Sequence, residues 1–189
     1  MTIALAVLLT VVASVAPGSA TLPRGNDLFR LGMSRAQVDS AIAGRALTVI
    51  SDGTAFLVCA GDDPTVEYEQ YSFFVPPHGT EALWKVTVGY RLAATRQDLD
   101  HVRIELEELL GPPIADTDQV AAPDGADRDQ RPAGRQLMWL DPATQVRLGG
   151  RWTSEPDRNA DRMLVTWTDR RIQRLIDART KKDKPKPPQ

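Results

Sequence analysis

Two histidines, one cysteine and a group of aspartates are the residues of this chain whose types could carry catalysis or hold a metal. His78 sits in the turn signal Pro76-Pro77-His78-Gly79, and His101 falls by helical phase on the polar side of an expected helix. Neither has a second His or a Cys at ligand spacing, so no zinc site is expected. Thiol catalysis needs an exposed, electropositive Cys with a base beside it. Cys59 lies instead within the apolar run TAFLVCA and reads as a small buried hydrophobe. Asp116, Asp118, Asp124, Asp127 and Asp129 offer the hard oxygens a cation wants. The Gly and Glu of an EF-hand loop are misplaced among them, so the segment reads as solvated linker. There is no glycine-rich phosphate loop and no Gly-x-Ser-x-Gly elbow. The expectation is a chain with no catalytic residue, no cofactor and no metal.

The remaining chemical asset is aromatic. Trp84, Trp139, Trp152 and Trp167 all fall in or beside expected strands, and Trp84 and Trp139 alternate with polar neighbours such as Lys85 and Gln136. A row of large rings on one sheet face is either core or a surface for a partner, because Trp, Tyr and Arg supply most binding hot spots. Trp84, Trp139, Trp152, Arg147 and Tyr71 are therefore the candidate partner-binding residues, and the partner is expected to be a protein. The other reading is an enzyme or small-ligand carrier with a cleft between two halves of the chain, the Tyr68, Tyr71 and Arg147 region supplying its polar groups.

The elements that must position these side chains belong to a chain of 189 residues, 42% hydrophobic and 25% charged, which suits one globular domain or two very small ones. The formal net charge of -2 gives no global basic field, so no nucleic acid is expected and membrane contact is peripheral at most. Residues 1–20, MTIALAVLLTVVASVAPGSA, run apolar and end in small residues, the pattern of a signal peptide cleaved after Ala20. The run is shorter than the roughly 20 residues of a spanning helix. The expected localisation is therefore periplasmic or secreted. A single Cys leaves no internal disulfide, and no lipid-acceptor Cys follows Ala20.

Ser34 with Gln37 has the form of a capping box, Met33 and Val38 can close a hydrophobic staple over it, and Gly44 is the expected stop. Thr95 with Asp98 repeats the start, and Leu99, Val102, Leu106, Leu109 and Leu110 step along a longer helix that Gly111-Pro112-Pro113 ends. Strands are expected in RALTVIS, TAFLVCA, VEYEQYSFFVP and ALWKVTVGYRL, and again in RQLMWLD, TQVRLGGRW and RMLVTWTD, with RRIQRLIDAR as a short closing helix. The expected division is 21–110 as a first half of helix and strands plus the second helix, 111–134 as a mobile polar insertion, 135–178 as second-half strands with the closing helix, and 179–189 as a basic, Pro-rich tail. The expected fold class is α+β, a tandem helix-plus-antiparallel-sheet repeat with the helices packed on one sheet face.

The stretch FRLGMSRAQVDSAIAG resembles the opening helix of the SmpA/OmlA (BamE-like) family of outer-membrane assembly lipoproteins. The tandem plan is similar to that of the β-lactamase inhibitor proteins (BLIP-like). Both groups present a surface to another protein and have no active site. The resemblance implies the same here: an exported, non-catalytic interaction module, used in envelope assembly or as an inhibitor-like binding protein.

Overall fold

A computed structural model describes residues 21–25, 29–61, 64–75, 80–90, 96–119, 133–152 and 163–182. The expected signal peptide, His78, Thr95, residues 120–132 of the expected insertion and the tail from 183 onward lie outside the described residues. The element order is α1 (Arg35–Arg45), β1 (Val49–Gly53), β2 (Phe56–Ala60), β3 (Val66–Phe74), β4 (Ala82–Tyr90), α2 (Arg96–Leu110), β5 (Ala115–Gln119), β6 (Ala133–Leu140), β7 (Thr144–Trp152), β8 (Met163–Asp169) and α3 (Arg170–Lys182). The strands form one 8-stranded antiparallel sheet in the order β1-β2-β3-β4-β8-β7-β6-β5.

α1 starts as its residues dictate. Ser34 Oγ accepts from the Gln37 N–H, and Gln37 Oε1 accepts from the Ser34 N–H at 2.9 Å. Its end differs from expectation. The helix runs past Gly44 to Arg45, and Ala46 takes the left-handed conformation at φ 55°. The N–H groups of Ala46 and Leu47 then close on the carbonyls of Ala43 and Ile42. The hydrogen-bond geometry of the last turn outweighs the preference for a glycine there.

One sheet face carries the core. Leu57, Tyr71, Val86, Val165, Leu148 and Leu137 pack with Val38 and Ile42 of α1, with Leu99, Val102 and Leu106 of α2, and with Leu22, Phe29 and Leu31 of the chain before α1. Arg35 fastens α1 to β1 through Asp52 and the Gly53 carbonyl. Arg135 fastens β6 to β5 and α2 through Asp116 and Asp100, each at 2.7 Å.

The expected tandem repeat is corrected by this arrangement. β4 and β8 pair from Lys85↔Thr168 to Tyr90↔Met163, so a single sheet carries the core and the helices are not packed on it as tandem repeats. Nor do the helices share one face. α3 brings Ile176, Arg179 and Thr180 against Phe74 and Trp84, whose chain neighbours Phe73 and Leu83 are buried on the α1 and α2 side. The physical reason is that the core face is already filled. α3 follows β8 directly, capped by Asp169 through the N–H groups of Arg171 and Ile172, and can only turn to the uncovered side. It also runs into the segment expected as tail. Ala115–Gln119, expected inside a polar insertion, is edge strand β5, paired with β6 in spite of its two aspartates. No helix among the described residues is long and apolar enough to cross a membrane.

Candidate interaction face

The sheet face opposite the core is where side chains remain available, and a β-bulge shapes it. β3 and β4 pair Ser72↔Lys85 and then Phe73↔Leu83, leaving Trp84 as the extra residue. Leu83 and Val86 are buried in the core, while Trp84 and Lys85, consecutive in the chain, both line grooves on the open face. Regular alternation would have sent one of them inward.

Trp84 lies with Phe56, Phe74 and Ile176 around a groove of about 500 Å³ between β2, β3, β4 and α3. Phe56 is 39% exposed, and the Arg179 guanidinium stands 5.0 Å from the centre of the Phe74 ring. On the other side of α3, Lys85, Gln136, Gln145, Arg147, Thr166 and Thr168 line a second, larger groove of about 900 Å³. Arg147 is exposed. Tyr68 lies flat against the backbone of Gly89, where an added Cβ would come within 2.4 Å of the ring.

Two of the expected partner-binding residues are not on this face. Trp139 is 1% exposed and donates from Nε1 to the Gly111 carbonyl at 2.7 Å, which ties β6 to the end of α2. Tyr71 is fully enclosed, its ring centre 4.4 Å from that of Phe29 with the planes tilted by 42°, and its hydroxyl donates to Glu69. Both fall in the core phase of their strands, so their polar tips are satisfied inside. The backbone of Trp152 ends β7 opposite Ala133, and its side chain lies outside the described residues. Of the predicted set, Trp84 and Arg147 are on the open face. They stand on separate strands, with α3 passing between their grooves.

The polar region expected around Tyr68, Tyr71 and Arg147 is not assembled. Tyr71 is on the core side, whereas Tyr68 and Arg147 stand on the open side, three strands apart in the order β3-β4-β8-β7. Phe56, Phe74 and Arg179 were missed by sequence reasoning. The alternation of β2 and β3 carries the signal for both phenylalanines, but only the placement of α3 joins them to Trp84.

Among the described residues, the thiol of Cys59 and the Tyr71–Glu69 pair are enclosed in the core. Burial, followed by the adjacent Glu69 carboxylate, pushes the Cys59 thiol up, so it stays protonated and enclosed. Burial and the bond to Glu69 likewise raise Tyr71 far above the ordinary phenol. Arg45, in the last turn of α1, approaches Glu69 at 3.5 Å, so this buried cluster ties α1 to β3. His101 is on the solvent side of α2, 4.0 Å from Glu105. Among the described residues no group of three His, Cys, Asp or Glu is placed to hold a metal ion.

No family model, no curated protein and no solved structure matches this chain.

Proposed function

We propose that the chain is an exported, non-catalytic protein-interaction module that engages a protein partner through the open sheet face around Trp84 and Arg147. The observation that carries this reading is the bulge on β4. It keeps a large indole outside the core, next to Phe56 and Phe74, whereas Trp139 and Trp167, the other tryptophans whose side chains are described, are buried. Rigid aromatic anchors beside an arginine are the side chains that concentrate binding energy. Export rests on residues 1–20, with the mature chain beginning at Thr21. The capped α1 start supports the same class through its resemblance to BamE-like proteins.

The test is chemical crosslinking of the tagged chain in its native host, with recovery of the crosslinked species. Trp84→Ala and Phe56→Ala are expected to abolish one discrete adduct while leaving the unfolding temperature close to that of the parent. An adduct that survives both changes would remove the open face from consideration. The mass of the natively produced chain decides export, and a mass that includes residues 1–20 would overturn that part.

A further inference from the structure

The register of the sheet sets the open face in cross-strand rows, two of which cross the larger groove. In one, Gln145, Thr168, Lys85 and Ser72 are successive cross-strand neighbours on β7, β8, β4 and β3. In the next, Met138, Arg147, Thr166, Thr87 and Gln70 run from β6 to β3. The two threonines of β8 thus stand between Arg147 on one flank and Lys85 on the other, at diagonal corners. Strand spacing of about 4.8 Å and a two-residue step of about 7 Å put the cations' Cα atoms about 12 Å apart. Two long side chains can close that distance around one small anion.

Both cations keep their charge available. Among the described residues neither Lys85 nor Arg147 has a carboxylate within ion-pair distance, whereas Arg24, Arg35, Arg103 and Arg135 are each paired. Arg147 is held by a neutral group instead. With its amide oxygen turned to the guanidinium, Gln145 accepts from Nε and Nη2 at 3.1 Å each. Among the described residues the one carboxylate on the groove, Asp177 of α3, already accepts from Gln173 Nε2 at 2.7 Å. The groove therefore has a local positive excess in a chain of net charge -2. Gly149 leaves its floor bare, since a Cβ there would meet nothing within 4 Å, and main chain can approach it closely.

We infer that this groove is a carboxylate seat for an acidic side chain on a protein partner, with Arg147 and Lys85 as its charge partners and the Thr166 and Thr168 hydroxyls as donors. It rests on the reading of the open face as the partner-binding surface and names the chemistry of that partner. A protein segment fits better than a free small acid. The groove, about 900 Å³, is only partly enclosed, and Lys85 in it is the chain neighbour of Trp84 in the aromatic groove on the other side of α3, so one partner surface can reach both. An aromatic anchor next to a desolvating charge pair is a common hot-spot arrangement.

The experiment titrates isotope-labelled protein with a capped hexapeptide of alternating Glu and Gly, with its Gln counterpart, and with sodium acetate, read by NMR. The Glu peptide is expected to shift the amides of Lys85, Thr166 and Thr168 and the Nε–H of Arg147 saturably, more weakly as salt is raised. The Gln peptide should leave them in place. Arg147→Met and Lys85→Met, which keep the aliphatic stems, should each lower the affinity tenfold or more in proteins whose spectra remain folded. Equal responses to the Glu and Gln peptides, or undiminished affinity in both folded variants, overturn the seat. Acetate matching the peptide at equal concentration overturns the assignment to a protein segment. If the seat fails while Trp84→Ala still removes the crosslinked adduct, the interaction reading stands without it.

Discussion

The backbone N–H of Leu22 donates to Asp141 Oδ2 at 2.7 Å, joining positions 119 residues apart. Asp141 Oδ1 accepts from the N–H groups of Ala143 and Thr144, so one buried carboxylate both shapes the β6–β7 turn and anchors the chain ahead of α1. Arg24 continues the strap by pairing with Asp169 at the end of β8.

Burial alone would push the Asp141 carboxyl up. The N–H groups of Thr144, Ala143 and Leu22, with Arg170 nearby, outweigh it and hold the carboxyl below the ordinary carboxylate range. A folded value below the unfolded one contributes stability that is complete above the usual Asp pKa of about 3.9 and is lost as pH falls through the depressed value. Asp141→Asn is expected to cost on the order of 1–3 kcal/mol at pH 7. Urea unfolding of parent and variant should show that gap narrowing in acid, and a gap independent of pH would contradict the assignment.

At the start of α1, Ser34→Ala removes the acceptor of the capping box and should cost about 1 kcal/mol without changing the fold. At the other end, Ala46 holds a left-handed conformation that a Cβ disfavours by roughly 1–2 kcal/mol. Ala46→Gly is therefore expected to raise the unfolding midpoint, an effect reduced by the extra freedom of glycine in the unfolded chain. A lower midpoint would show that Ala46 is not under strain.

The tryptophans should separate cleanly. Trp139→Ala opens a cavity in the core and breaks the bond to Gly111, with an expected loss of about 3–5 kcal/mol. Trp84→Ala removes a side chain from the open face and should cost far less. Thermal unfolding of the two variants checks this ordering, and comparable losses would place Trp84 within the core.

Cys59 is enclosed, with its thiol raised by burial and by Glu69. Alkylation by iodoacetamide at neutral pH is expected only on unfolding. Rapid labelling of the native protein would mean that β2 opens readily.

Local chemistry was legible in the sequence because it depends on neighbours in the chain. Ser34 and Gln37 announced the cap of α1, the Leu99, Val102 and Leu106 steps announced α2, and the alternation of valine and aromatic residues announced most strands. Cys59 was legible as core for the same reason. What the sequence could not decide is the side of the sheet on which each element ends up. Tyr71 and Trp84 are both aromatic residues on strands, and their exposure follows from strand phase and from one bulge whose position depends on cross-strand pairing. Asp116 and Asp118 mark linker by composition, yet β6 recruits them into β5 because Arg135 pairs with Asp116 and an unpaired β6 edge would otherwise remain. The apolar stripe of α3 shows that it packs on something, but not on what. That was settled by a core face already covered by α1, α2 and the strap through Leu22, which left α3 the open face and so divided it into an aromatic groove and a cationic one.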